Sequence, residues 1–412
     1  MKNSGIEWIG EIPDSWEYFR LKDYYEFEKG KNAAIYTQEY IGTHPGEFPV
    51  YSGQTENDGV MGNISSFDYD EEECLFTTTV GAKVMTPKVL NGKFSLSQNC
   101  LIMKRVKPCC NKYIFYQLFP LFDYTKSMIP TYMQPSLRIS DLNTYGFFSP
   151  NEIQQRKIAD YLDSKCAEVN KLIDIQQAQI DKLKEYKQSV ITEAVTKGLD
   201  PTVPMKDSGV EWIGMIPEGW RVVKNKVLFQ NVSIKGFGNA RVLSLYRDLG
   251  VVPKDTREDN HNVTSLDTDG YKHVEINDLV INKMKAWSGS LAISDYDGIV
   301  SPAYYVCKVN YKYVDKRFIH HYLRNKHMVA LYEMYSAGLR VGQWDLAIDD
   351  FLNIEIAVPD SLREQKEIAI YIDDKCAKID KLIAIKQAKI DKLQEYKKSL
   401  IYEYVTGKKE VM

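Results

Sequence analysis

A carboxylate and a lysine two positions apart, as in Asp163-Ser164-Lys165 and Glu185-Tyr186-Lys187, are residue types that nucleases use to hold a metal and activate water. Both triplets sit inside an unbroken helical stretch and lack an upstream metal carboxylate, so they read as helix-surface or seam charges. His320 and His321 are adjacent and His327 follows one helical stretch later, but no acidic pair or cysteine completes a metal site. The surface of a helix accounts for them, and no metal is expected. No Gly-x-x-x-x-Gly-Lys-Ser/Thr loop occurs, which leaves any ATP-driven work to a partner. Gly236-Phe237-Gly238 lacks the rest of a dinucleotide fingerprint and reads as a turn. The Asn/Asp-Pro-Pro-aromatic motif of amino-methyltransferases is also missing, so the chain is expected to have no catalytic centre.

A different chemistry is better represented. Hydroxyl, amide, basic and aromatic side chains cluster in loops: Thr79, Lys83, Ser97, Gln98, Asn99, Gln134 and Arg138 in the first half, and Lys283, Lys285, Trp287, Ser301, Arg340, Gln343 and Trp344 in the second. Gln and Asn can grip adenine through two hydrogen bonds, Arg can grip guanine, and lysines meet phosphates. Solvated loops share this composition, so composition alone does not assign the role. The net charge of −3 requires any nucleic-acid surface to be a local patch set against acidic regions elsewhere.

A chain of 412 residues, 44% hydrophobic and 12% aromatic, should fold as two or more globular domains. Seven cysteines without a Cys-x-x-Cys spacing fit a reducing cytosol, and the adjacent Cys109 and Cys110 suit neither a simple bridge nor a zinc knuckle. The start of the chain has no apolar signal region, and no stretch reaches the roughly 18 apolar residues of a membrane span. A soluble, cytoplasmic protein is expected.

Two internal repeats supply the elements that must carry these loops. SGIEWIGEIP from Ser4 returns as SGVEWIGMIP from Ser208, and Trp16 returns as Trp220. A longer repeat begins near Gln155 and Gln365 and runs through Lys171-Leu172-Ile173 and Lys381-Leu382-Ile383 to Glu185-Tyr186-Lys187 and Glu395-Tyr396-Lys397. Neither copy of the longer repeat contains Pro or Gly for some forty residues, and apolar positions recur every seven, which predicts one long helix in each half. The first seam is Ala159, Leu162, Cys166, Val169, Ile173, Ile180, Leu183, Val190 and Ala194; the second is Ala369, Ile372, Cys376, Ile379, Ile383, Ile390, Leu393 and Leu400. Gln176, Lys187, Lys386 and Lys397 interrupt the seams at matching places and read as register devices. Each helix could instead pack on its own domain as an ordinary amphipathic helix. If the two pair, a pseudo-twofold makes them antiparallel.

The repeats divide the chain into residues 1–150, a helix over 151–200, residues 201–358 and a second helix over 359–412. The inserts at about 20–150 and 224–358 share little sequence. Each reads as mixed α/β, with strand-like runs at 73–80 and 278–282 and helix-like stretches at 112–122 and 316–335. Pro150 and Pro359 precede the helices, with Asp360 or Ser361 as a cap for the second. The fold class is α+β: two mixed domains separated by an antiparallel coiled coil.

EWIGEIPDSW, its return as EWIGMIPEGW, the helix entry SLREQKEIA and the endings EYKQSVITEAVTKGLD and EYKKSLIYEYVTGK together resemble the specificity subunits of type I restriction-modification systems, over essentially the whole chain. TVGAKVM, SLSQN, INKMKAWSGSL and SPAYY look like parts of their target-recognition domains. The first helix entry, NEIQQRKIA, departs from the usual Pro-x-x-Glu-Gln. The resemblance implies that each insert reads one half of an interrupted double-stranded DNA site. It also implies that the helices dock two adenine-N6 methyltransferase subunits and, for restriction, translocating endonuclease subunits. S-adenosylmethionine, ATP and Mg are then expected on those partners and none on this chain. A helix of about 45 residues at roughly 1.5 Å each is about 65 Å long, so the half-sites should lie within about two DNA turns of each other. The alternatives are a coiled-coil scaffold that binds only proteins, and a divergent nuclease or methylase.

Overall fold

The computed structural model describes residues 1–411 apart from 54–56, Ala82, Thr131, Asp248, 257–267 and 341–342, and the side chains of Leu339, Arg340 and Gln343 also lie outside the described part. The chain forms two compact units, Met1–Gln177 with Gln387–Met412, and Ala178–Lys386. The units therefore divide within the long helices rather than at their ends.

Those helices are Glu152–Lys197 and Leu362–Val405, 46 and 44 residues long. Gly198, at φ 75°, follows the first, and Gly407, at φ 71°, lies just beyond the second; both occupy the left-handed backbone region that glycine enters without strain. At the starts, the Asn151 side chain accepts from the Gln154 amide at 3.0 Å and the Ser361 hydroxyl from the Glu364 amide at 3.4 Å. Ser361 is thus the cap, while Asp360 pairs with Arg221 at 3.3 Å.

Unit 1 is built on a six-stranded sheet in the order Tyr25–Lys29, Cys100–Arg105, Tyr69–Thr78, Pro87–Leu96, Pro45–Tyr51, Val60–Ile64. The pairings are antiparallel except that of Pro45–Tyr51 with Pro87–Leu96. The run at 73–80 falls largely in the central strand Tyr69–Thr78, and the helix expected at 112–122 spans Asn111–Ser127. Unit 2 has a four-stranded sheet in the order Phe229–Val232, Tyr304–Val309, Leu279–Asn282, Leu291–Ile293. The helix expected over 316–335 is two helices, Lys316–Leu323 and Lys326–Tyr335. Asn325 causes the break: its side chain accepts from the His327 and Met328 amides at 2.8 and 3.2 Å and so caps a new helix.

The short repeat folds alike in both units. The Ser4 amide donates to the Gly10 carbonyl at 2.9 Å, and the Ser208 amide to that of Gly214 at 3.0 Å. Gly5, Gly10, Gly209 and Gly214 all have positive φ, which explains why the motif carries glycine at those positions. Ile12 and Trp16 enter the core of unit 1 beside Ile158, Ala159, Leu162, Tyr404 and Val405. Ile216 and Trp220 enter that of unit 2 beside Ile368, Ala369, Ile372, Ala194 and Val195. Each core thus joins one head, one copy of the motif and stretches of both helices.

Within each unit the two helical stretches pair antiparallel. In unit 1, the Lys397 Nζ donates to Asn170 at 2.9 Å while Tyr404 reaches Tyr161 at 3.2 Å, residue numbers rising on one helix as they fall on the other. In unit 2, Lys386 meets Gln179 at 2.5 Å and Lys187 meets Asp380 at 2.7 Å in the same sense. The seam behaves as its spacing predicts. Leu162, Cys166, Val169, Ile180, Ile372, Ile379 and Ile390 are buried, and Ile173, Leu183, Cys376, Ile383 and Leu393 half-buried. Packing on their own domains, the plain amphipathic reading, applies only to the helix ends, which enter the two cores. No described helix is long and apolar enough to cross a membrane.

Candidate nucleic-acid interface

In unit 1, the central strand Tyr69–Thr78 runs out into Thr79, and the Thr79 backbone gathers the candidate loops around it. Its amide donates to the Asn99 carbonyl at 2.8 Å, and its carbonyl accepts from the Leu137 amide at 2.8 Å. A bridge between Val80 and Ser136 continues the second contact. The structure therefore brings together Thr79, Lys83, Ser97, Gln98, Asn99, Gln134 and Arg138, which sequence alone scatters over sixty positions. Lys83, Gln98, Asn99, Gln134 and Arg138 are exposed, whereas Thr79 and Ser97 are buried and hold the loops rather than face solvent. Asn99 sits at φ 66° and Met85 at φ 57°, left-handed conformations that turn these loops sharply. The Lys83 carbonyl accepts from the Thr78 and Thr86 hydroxyls, the latter at 2.7 Å, so the Lys83 side chain rises from a fixed backbone.

Unit 2 repeats the plan with other residues. The strand Leu279–Asn282 runs out into Lys283, whose carbonyl accepts from the Leu346 amide at 3.0 Å. Asn282 pairs with Tyr304, so Ser301, just before that strand, lies at the same end of the sheet. The hairpin of Ser336–Arg340 with Gln343–Leu346 completes the group. Trp287 and Trp344 meet there, ring centroids 5.3 Å apart at 65°. Lys285 is exposed and Ser301 half-buried. Lys283 is tied to Asp345 at 3.1 Å, so it would have to exchange that carboxylate for a phosphate. Arg340 and Gln343 pair across the hairpin, and their side chains lie outside the described residues.

Lys272 and Lys235 belong to the same patch and were not singled out by loop chemistry. Burial lowers the Lys272 pKa, and the positive charges of Lys235 and Lys283 lower it further. Lys272 is half-buried and donates to the Tyr304 carbonyl at 2.6 Å, so of these lysines it serves the fold first. A signal for the shared plan was present in the sequence: Leu137-x-Ile139-x-Asp141 matches Leu346-x-Ile348-x-Asp350, the leucine being the buried residue that anchors each loop.

Two more pairs of residues fix each head to its long helix. Gln155 receives the Cys110 amide at 3.0 Å and donates to the Ser149 hydroxyl and Pro150 carbonyl at 2.9 and 3.1 Å. Gln365 receives the Asp315 amide at 2.7 Å and donates to the Tyr313 and Pro359 carbonyls at 3.0 and 2.9 Å. Asp163 accepts from Lys112 and the Tyr116 hydroxyl at 2.6 and 2.7 Å, and Asp373 from Arg317 at 3.0 Å, with the His321 ring at 2.8 Å. The carboxylate of Asp163-Ser164-Lys165 is therefore a clamp, and Lys165 pairs with Glu168 at 2.9 Å. His320 and His321 are half-buried rather than on an open helix surface as expected, and the His321 ring turns toward Asp373 on the long helix. Burial, with the nearby Arg324 charge, pushes the His320 pKa down to about 3. Burial also lowers that of His321, against the pull of Asp373. Among the described residues no group of three or more His, Cys, Asp or Glu is placed to hold a metal ion.

The chain matches the model of the type I restriction modification DNA specificity domain twice, over residues 13–185 and 217–395. It is 36% identical over 170 residues, 40% of this chain and 48% of the relative, to the specificity subunit of the type I restriction enzyme MpnII of Mycoplasma pneumoniae. The aligned stretch spans between 48% and 66% of the length of the first three Mycoplasma pneumoniae relatives it matches. The specificity subunit of the type I restriction enzyme MjaVIII of Methanocaldococcus jannaschii is 24% identical, over 96% of this chain and 93% of that one. The fold is that of a chain in a solved structure on complex assembly and conformational transition of the type I R-M system, with a TM-score of 0.65 and 13% identity over 96% of this chain and 98% of that one. With two matched domains that together take in most of its length, the chain belongs to the type I restriction-modification DNA specificity family.

Proposed function

We propose that this chain is a non-catalytic DNA-reading subunit in which the two unlike heads each recognise one half of an interrupted double-stranded site. The observation that carries the reading is that both heads present a loop cluster of the same plan, anchored through Leu137 on Thr79 and through Leu346 on Lys283, yet fill it with different side chains. A common support with diversified tips is what two different half-sites require, and a plain protein-binding scaffold has no use for it. In unit 2 the exposed Lys285, and Lys283 on exchanging Asp345 for a phosphate, supply the phosphate attraction that positions such a head.

The chemistry is carried by partners: two adenine-N6 methyltransferase subunits, and translocating endonuclease subunits in a restriction complex. S-adenosylmethionine, ATP and Mg are bound by those subunits, in the cytoplasm where the DNA is. The paired helices, alike in both units, offer two equivalent docking sites. Mapping methylated adenine across the host genome with and without this gene tests the reading. A single interrupted motif that loses its methylation on deletion supports it; an unchanged methylation pattern contradicts it.

A further inference from the structure

We infer that each head reads an A·T base pair in the major groove through the tip that precedes its anchoring leucine, with a glutamine for the adenine and an aromatic ring for the thymine methyl group. This rests on both heads being DNA readers. In unit 1 the tip is Pro130-Thr131-Tyr132-Met133-Gln134-Pro135. Tyr132 is 86% exposed and Met133 53%, while Tyr25, Tyr69 and Tyr113 are fully buried. A ring held that far into solvent contributes little to the core and is left to pack against whatever approaches the tip.

The tip, apart from Thr131, which lies outside the described residues, is tied back through its own backbone. The Met133 amide donates to the Pro130 carbonyl at 2.9 Å, two prolines bracket it, and Leu137 fastens its end to Thr79. Lys83 and Arg138 are exposed on the loops to either side and suit flanking phosphates. Adenine offers the major groove one acceptor and one donor, which the Gln134 amide matches, and its thymine partner offers a methyl group that only an apolar surface can reward.

In the sequence of unit 2, Gln343 stands three residues before Leu346 as Gln134 does before Leu137, and the aromatic there is Trp344, two residues before its leucine, where Tyr132 lies five before Leu137. Four of the chain's six tryptophans, Trp8, Trp16, Trp212 and Trp220, belong to the duplicated motif. The other two, Trp287 and Trp344, meet edge to face at the tip, both half-buried. The Trp287 N–H is engaged by the Met284 carbonyl at 3.0 Å, so that indole has its rings to offer rather than a donor. Gln343 immediately precedes Trp344 in the sequence.

The test is selection of bound sequences from a pool of random synthetic DNA duplexes by the full chain. Binding is then measured on the selected duplex with each thymine in turn replaced by uracil, which removes only the methyl group. One uracil in each half-site should weaken wild-type binding, by about tenfold where the contact is well packed. The same uracil in its half-site should leave Tyr132→Ala unaffected. Gln134→Ala should relax selection at that same pair, and Trp344→Phe should keep a preference in the other half that Trp344→Ala loses. Tyr132 is exposed enough for its removal to spare the fold, which equal melting of the two proteins verifies. Selection of unchanged sequences by Tyr132→Ala and Gln134→Ala overturns the proposal. So does a loss of binding that no uracil reproduces, the signature of a ring wedged between base steps. If the wild-type chain enriches no sequence at all, it is the DNA-reading role itself that fails.

Discussion

Lys187 Nζ lies 2.7 and 2.8 Å from the two carboxylate oxygens of Asp380 on the neighbouring long helix, and the same position of the repeat in the other unit pairs Lys397 with Asn170 at 2.9 Å. A cation at a seam position is satisfied from the facing helix in both places, and one acceptor is a carboxylate where the other is an amide. The Lys187 and Asp380 side chains are 27% and 55% exposed, so the pair is worth at most about 1 kcal/mol. Lys187→Leu should therefore leave stability unchanged or slightly raised while loosening the register. Denaturant unfolding measures the first, and cross-linking of cysteines introduced along the seam measures the second. A loss of several kcal/mol would show that the pair stabilises the fold rather than specifying its alignment.

Gln365 is fully buried and makes three hydrogen bonds to backbone groups. Gln365→Ala leaves the Asp315 amide and two carbonyls without this partner, a loss of roughly 3 kcal/mol at about 1 to 3 kcal/mol for each buried group left unmet. Chemical denaturation of the full chain reads it, and Gln365→Glu, which retains only acceptors, should recover little.

Asp163 and Asp373 are half exposed, so Asp373→Asn should cost about 1 kcal/mol. The more telling readout is hydrogen exchange. Lys316–Leu323 should lose protection relative to the long helix, with Asn111–Ser127 unaffected, and Asp163→Asn should do the reverse.

The His320 pair makes unit 2 sensitive to acid. The folded pKa of His320 lies at about 3 against an ordinary 6.5, and that of His321 is also lowered. Between those values the unfolded chain binds protons that the folded chain does not, so stability falls as pH drops from about 6.5 toward 3. Thermal melts across that range should show the decline for unit 2, and His320→Gln should flatten it. An unchanged slope in that variant would remove His320 as the cause.

Most of the frame was legible in the residues. The seven-residue spacing placed Leu162, Val169, Ile180, Ile372, Ile379 and Ile390 in a buried seam because a long helix has one periodicity and few ways to satisfy it. The duplicated glycines and tryptophans marked the motif that seals each core. The heads were less legible, because contacts such as Leu137 with Thr79 join residues far apart in sequence, and short strands leave weak patterns. The break at Asn325 is not legible because a cap among Arg324, Lys326 and His327 looks like one more polar residue on a helix. Tyr132 is equally hard to read from sequence, which shows a tyrosine and not whether the fold takes it in. That His321 is turned to Asp373 depends on the long helix packed beside it, which no local pattern encodes.

Exchanging residues 20–150 for the corresponding head of a relative, and then mapping methylated adenine in a host carrying the hybrid with its partner subunits, tests the two-headed reading most directly. Two independent heads predict a new sequence in one half-site, with the other half-site and the spacer retained. A change in both halves, or in neither, would contradict it.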